Sequence, residues 1–211
     1  EIEHIVVVPL HQFPVALGTV ALGELESVLH KPLQTLKRPQ QDAFDLCSHL
    51  LGNVRVIHTG EGLVLGGQND LAAKEEGRRS GYHLFMHFNI AAFGGNGFID
   101  YSLLRLAHGI QQLPYSLEIK TVSADGVEFS WLDNSLTLMA QGSDRLMVGA
   151  IFDDDPFQVV MLGGITACRK EGWAPVKLPG GSWKTAHLYC FFGTGDRKRF
   201  SASKYFKVNK Q

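Results

Sequence analysis

Short apolar runs alternate with turn signals from residue 126 to residue 208. The runs are Gly-Val-Glu-Phe-Ser-Trp (126–131) and residues 145–152, 157–162, 186–192 and 203–208. Between them stand Asp-Asn-Ser (133–135), Asp-Asp-Asp-Pro (153–156), Leu-Pro-Gly-Gly (178–181) and Gly-Thr-Gly-Asp (193–196). Such residues interrupt strand pairing because Gly and Asn reach turn geometries cheaply, Pro removes a donor, and Asp bonds its own backbone. Residues 98–107 and 116–122 read as two further strands. Strands of this length and spacing predict an antiparallel sandwich of about seven strands between Ser116 and Val208. Trp131, Val148, Leu188 and Tyr189 are expected in or near its core.

The part before residue 114 is patterned differently. Ile5, Val6, Val7 and Val8 are apolar at successive positions, so both faces of an extended segment over residues 2–8 need covering. Pro9 and Pro14 follow it where a hairpin turn would stand. Pro39 begins a helical pattern in which Phe44, Cys47, Leu50 and Leu51 recur, with Gly52-Asn53 as its stop. Residues 54–57 suit a short strand, 60–69 form a glycine-rich loop, and Asp70 caps a short charged helix over 71–78. Residues 82–93 fit either reading: Tyr82, Leu84, Met86, Phe88 and Ile90 alternate as in a strand, whereas Asn89 and Ala91-Ala92 do not suit one. Gly94-Gly95-Asn96-Gly97 then forces a turn. The chain therefore divides into a mixed α+β region over 1–113 and a mainly β, Ig-like sandwich over 114–211.

Composition narrows the function classes. With 211 residues, 45% of them hydrophobic, the chain has the material for a packed core. A formal charge of -1 supplies no global field for nucleic acid or an anionic membrane. Arg197, Lys198, Arg199, Lys204, Lys207 and Lys210 are a local basic cluster, read as a solvated strand face or as a contact for phosphates or glycans. No apolar run reaches the roughly 18 residues of a membrane-spanning helix. Cys47, Cys168 and Cys190 are too few and too widely spaced for a disulfide framework. A Cys168–Cys190 bridge stays open, and Cys190 reads most simply as a core residue.

Catalytic patterns are missing. His83 and His87 share a face but lack the Glu of a His-Glu-x-x-His pair and a third ligand nearby. Asp153, Asp154 and Asp155 lack the glycine and distal Glu of a calcium loop, and consecutive carboxylates do not converge on one ion. Ser182 follows two glycines yet sits in no nucleophile elbow, and Cys47 and His49 diverge on their helix. The stretch 60–67 contains no Gly-Lys-Ser/Thr phosphate cradle. Trp173, Trp183, Tyr205 and Phe206 are candidates for stacking on sugars. No catalytic, cofactor-binding or metal-binding residue is assigned, and no structural or catalytic ion is expected.

Phe-Ser-Trp-Leu-Asp-Asn-Ser (129–135), Ser-Asp-Arg-Leu-Met-Val (143–148), Leu-Pro-Gly-Gly (178–181), His-Leu-Tyr-Cys-Phe-Phe (187–192) and Ser-Ala-Ser-Lys-Tyr-Phe (201–206) carry a resemblance. Upstream it continues through Asn89, Ala91, Ile99-Asp100-Tyr101-Ser102, Gly109 and Leu113-Pro114, and more weakly through Gly18-Thr19-Val20, Pro39, Gln41 and Phe44. Together these resemble an uncharacterised family of small Bacteroidota proteins described only as a domain of unknown function. The matching residues are turn and core residues, so the resemblance implies a fold and no chemistry. The second half also resembles a fibronectin-III-like or immunoglobulin-like sandwich, with Trp131 in an early strand and Tyr189 in a late one. No Cys pair flanks Trp131, which disfavours an antibody-type domain.

The function expected is a non-enzymatic structural protein that assembles with copies of itself into a fibre or surface layer, extracellular or at the cell surface. Ile5, Val6, Val7 and Val8 are the expected assembly interface, adding a strand to a neighbour's sheet or pairing within their own chain. The alternative is a cell-surface adhesin or a module binding glycan or protein. No cofactor and no nucleic acid partner is expected.

Overall fold

Strands apolar on one side only need a single covering layer, and strands apolar on both sides need two. Both kinds occur here. The computed structural model describes residues 81–93 and 98–211. Strands β1 (Tyr115–Ser123) and β2 (Gly126–Leu132) pair as a hairpin, and β5 (Trp173–Lys177) joins the other side of β2. Strands β3 (Arg145–Phe152), β4 (Asp155–Met161), β6 (Thr185–Gly193) and β7 (Lys204–Asn209) form a second sheet in the order β4-β3-β6-β7. Every pairing between these strands is antiparallel.

The two sheets share one core. Leu117, Val127, Phe129, Trp131, Ala174 and Val176 from the three-stranded sheet meet Leu146, Val148, Ala150, Leu188, Cys190 and Phe192 from the other. Trp131, Val148 and Leu188 are buried there as expected, while Tyr189 is buried on the opposite face of β6. Strand β6 is covered along almost its whole length, so a second layer lies beyond it. That layer is helix α1 (Gly81–Asn89), a 3-10 turn (Ile90–Ala92) and the chain up to Ala107. Phe85, Met86, Ile90, Phe93, Leu104 and Leu106 pack against Ile151, Val159, Tyr189 and Phe191. Gly149 makes room for it: a Cβ there would stand 2.9 Å from Leu106 Cδ1. Asn89 ties the helix end down, accepting from the Arg105 amide at 2.6 Å and donating to the Phe85 and Arg105 carbonyls.

Residues 82–93, open to two readings in sequence, are helix and 3-10 turn over Gly81–Asn89 and Ile90–Ala92. Residues 98–107 are not the strand expected of them. Asp100 accepts from the Ser102 amide at 3.0 Å and its hydroxyl at 2.6 Å, and the Leu103 amide bonds the Asp100 carbonyl. That Asx turn bends the chain after a lone bridge between Phe93 and Ile99. Strand β5 is the one the apolar runs did not outline, because Pro175 interrupts it. Pro175 is tolerated because β5 is an edge strand. The strands, helices and interface expected before residue 81, Ile5 to Val8 included, lie outside the described residues.

Candidate interaction surface

Antiparallel pairing puts three connections at one end of the two sheets. Arg145 pairs with Gly193, Ser130 with Trp173 and Tyr115 with Leu132, so the loops 133–144, 162–172 and 194–203 gather beside the start of β1. Under this end sits Arg169, completely buried in a 3-10 turn (Arg169–Glu171) that the left-handed Gly172 closes at φ 76°. Its guanidinium donates to Asp144 Oδ2 at 3.2 and 3.3 Å, to Asn134 Oδ1 at 2.7 Å and to the Gln112 carbonyl at 2.8 Å. It also stands 4.8 Å over the Phe192 ring. Burial pulls the guanidinium pKa down, against the opposing pull of Asp144. Trp131 Nε1 donates to the Arg169 carbonyl at 2.6 Å, and the Arg169 amide donates to the Asp144 carbonyl at 2.8 Å. Asp144 Oδ2 further accepts from the Gln141 amide, whereas its buried Oδ1 has no hydrogen-bond partner.

This cluster fixes the backbone of the 133–144 loop. Asn134 Nδ2 donates to the Leu113 carbonyl, the Thr137 amide to the Asn134 carbonyl, and the Gln112 amide to the Met139 carbonyl. Asp133 closes an Asx turn with the Ser135 amide at 2.9 Å. Held this way, the loop turns Leu136 and Leu138 fully outward, at 102% and 101% relative exposure. Met139 is also exposed. Cross-strand partners share a face of the sheet, so exposed Tyr115 and Leu132 lie side by side, with exposed Trp173 beside Ser130 on the same outer face. Six large apolar side chains thus stand in water at one end of the module. Large exposed apolar patches are where interaction sites are sought, which makes this end the candidate surface.

Apart from Trp173, the described residues singled out in sequence fall elsewhere. His87 is half-buried with its ring 5.2 Å from that of Phe88, and the His83 side chain lies outside the described residues. Asp153 and Asp154 form the β3–β4 hairpin turn. Slight desolvation raises the Asp153 pKa, but amide donors led by Lys184 at 2.8 Å hold it below its ordinary value. Ser182 donates to Asp154 at 2.9 Å, a turn contact. Among the described residues, no three His, Cys, Asp or Glu side chains gather as metal ligands.

Cys168 and Cys190 are both free. A hydrogen bond to Glu171 raises the Cys168 pKa and burial raises that of Cys190, so neither thiol is activated. The basic cluster does not converge: Lys204 Nζ donates to the Leu117 carbonyl at 2.7 Å and Lys210 Nζ to the Gly181 carbonyl at 2.6 Å. Of the four aromatic candidates for sugar stacking, Trp173 is exposed and Trp183 is buried, while Tyr205 and Phe206 are half-buried. Among the described residues, no helix is long and apolar enough to cross a membrane. No protein-family model matches this chain, and no curated protein matches it.

Proposed function

We propose that this chain is a non-enzymatic structural protein that assembles with copies of itself, outside the cytoplasm, and that a second copy covers the apolar loop end. The observation that carries the reading is the pair Leu136 and Leu138, fully exposed on a loop whose backbone is pinned by Arg169, Asn134 and Asp144. Rigid display of apolar side chains lowers the ordering cost of association. With a formal charge of -1, two copies meet without strong mutual repulsion.

The fold belongs to the same proposal. In a constant-type immunoglobulin domain the fourth strand joins the sheet of the first, second and fifth. Here β4 pairs with β3 instead, giving β1-β2-β5 against β4-β3-β6-β7, an order that supports a fibronectin-III-like sandwich. Membership of the Bacteroidota family is likewise proposed. Its support is that Trp131, Asn134 and Asp144, all within the resembling motifs, meet at one buried arginine.

Strand addition by Ile5, Val6, Val7 and Val8 would use the edge of β7 that pairs with no strand among the described residues. Edge strand β4 carries Pro156, β5 carries Pro175, and β1 has two register shifts, whereas β7 pairs regularly from Thr185↔Asn209 to Cys190↔Lys204. The second reading, a module binding glycan or another protein, is favoured by Trp173 and Tyr115, aromatic and exposed on one sheet face. Electron microscopy of the full chain separates them. Rings or fibres support self-assembly; dispersed single particles, with an oligosaccharide quenching tryptophan fluorescence, support the second reading instead.

A further inference from the structure

The outer face of the four-stranded sheet holds a titratable side chain that the assembly surface does not use. His187 on β6 is 9% exposed, and its ring stacks on Tyr101 with centroids 3.9 Å apart at 19°. Its Nδ1 lies 2.9 Å from the Tyr205 hydroxyl, on the neighbouring strand β7. Tyr101 belongs to the chain that turns back over this sheet. Besides the stack it is held by its carbonyl, which accepts from the Tyr189 hydroxyl at 2.8 Å, and by its own hydroxyl, which donates to the Pro156 carbonyl at 3.4 Å. We infer that His187 is a pH-sensitive latch, closing the layer around Tyr101 on the sheet while its imidazole is neutral and loosening it once protonated.

The surroundings set the direction. Burial lowers the pKa of His187, and the ammonium of Lys207, its cross-strand partner on β7, lowers it further. Asp153, at the β3–β4 turn, pulls the other way, but its carboxylate is already engaged by amide donors. Ile151 faces the ring from β3 and brings no charge. Tyr101 and Tyr205 bring neutral hydroxyls, since burial raises both pKa values, reinforced by Asp153 for Tyr101 and by Asp100 for Tyr205. In the tautomer that carries its hydrogen on Nε2, the neutral ring accepts the Tyr205 proton at Nδ1. A protonated ring carries hydrogen on both nitrogens, so that bond must reverse in a site short of solvent. A folded pKa below the unfolded value means that the latch contributes fully above about pH 6.5 and weakens as pH falls through the folded value.

Amide hydrogen exchange tests the latch when protection factors of residues 98–107 are compared at pH 7.5 and pH 5. The expected result is a severalfold loss of protection in this segment at the lower pH, with protection of β2 unchanged. The His187→Phe variant keeps an aromatic ring but cannot titrate, and should show no such pH-dependent loss. An equal loss in His187→Phe, or none in the wild-type protein, overturns the latch. If the variant does not fold, proton NMR titration of His187 in the wild-type chain decides: a midpoint below that of a free histidine supports the latch, and one at or above it overturns it.

Discussion

Arg169 and Trp131 hold the loop end from below, and each does so with a different economy of forces. Trp131 fills the space between the sheets, edge-on to Phe192 at 5.2 Å, and adds one hydrogen bond to the Arg169 carbonyl. Truncation leaves a cavity and removes the shorter of the two hydrogen bonds to the Arg169 carbonyl, so Trp131→Ala should lower stability by about 3–5 kcal/mol in urea unfolding. Loss of less than about 1 kcal/mol would mean that the core closes over the gap. Arg169 acts through charge. Removing it strands the buried Asp144 carboxylate, so Arg169→Ala should cost about 3–5 kcal/mol. The Asp144→Asn, Arg169→Met double variant should cost clearly less than the two single changes summed, because neither charge is then left unpaired. Additive penalties would contradict the coupling. Cys168 and Cys190 have thiols held in the protonated form by their surroundings.

Strand approach is governed by what the backbone allows. Gly126 opens β2 against edge strand β5, where an added Cβ would run into the Val176 carbonyl. Backbone yields less readily than a side chain, so Gly126→Ala should cost about 1–3 kcal/mol, measured by thermal unfolding. A neutral result would mean that β5 shifts freely along β2. The same local physics explains what could be read beforehand. Runs 145–152 and 186–192 were legible because nothing polar enough to leave the interior stands among their central residues. Their lack of alternation was also the signal of a second covering layer, since a sheet with one wet face alternates. Pro175 hid β5, and a single side-chain turn at Asp100 overrode the strand pattern of 98–107. The loop end was less legible. Arg169 sits between Cys168 and Lys170 in a stretch with no apolar pattern, and only tertiary folding brings Asn134 and Asp144 to it. Leu136 and Leu138 carried no signal that they face water, because alternation with Ser135 and Thr137 is also what a half-buried strand shows.

In the whole molecule, two faces with different demands lie on opposite sides of the sheets. The outer face of β3 and β6 is closed by the layer from Phe85 to Ala107, which His187 and Tyr101 help to hold. The outer face of β1, β2 and β5 meets the loop end with Tyr115, Leu132, Leu136, Leu138, Met139 and Trp173 exposed. Proposed strand exchange through Ile5 to Val8 makes a separate demand on the molecule. Association in this reading needs both contacts, so deleting residues 1–9 should leave a folded monomer by circular dichroism and light scattering, whereas an unfolded product would place that strand in the core of its own chain. Self-association through the loop end is tested most directly by sedimentation velocity over a concentration series, comparing the full chain with its Leu136→Asp, Leu138→Asp double variant. The reading predicts a wild-type coefficient that rises with concentration and a variant that sediments as a monomer with an unchanged circular dichroism spectrum. A wild-type chain that stays monomeric throughout, or a variant that associates as strongly as the wild type, would contradict it.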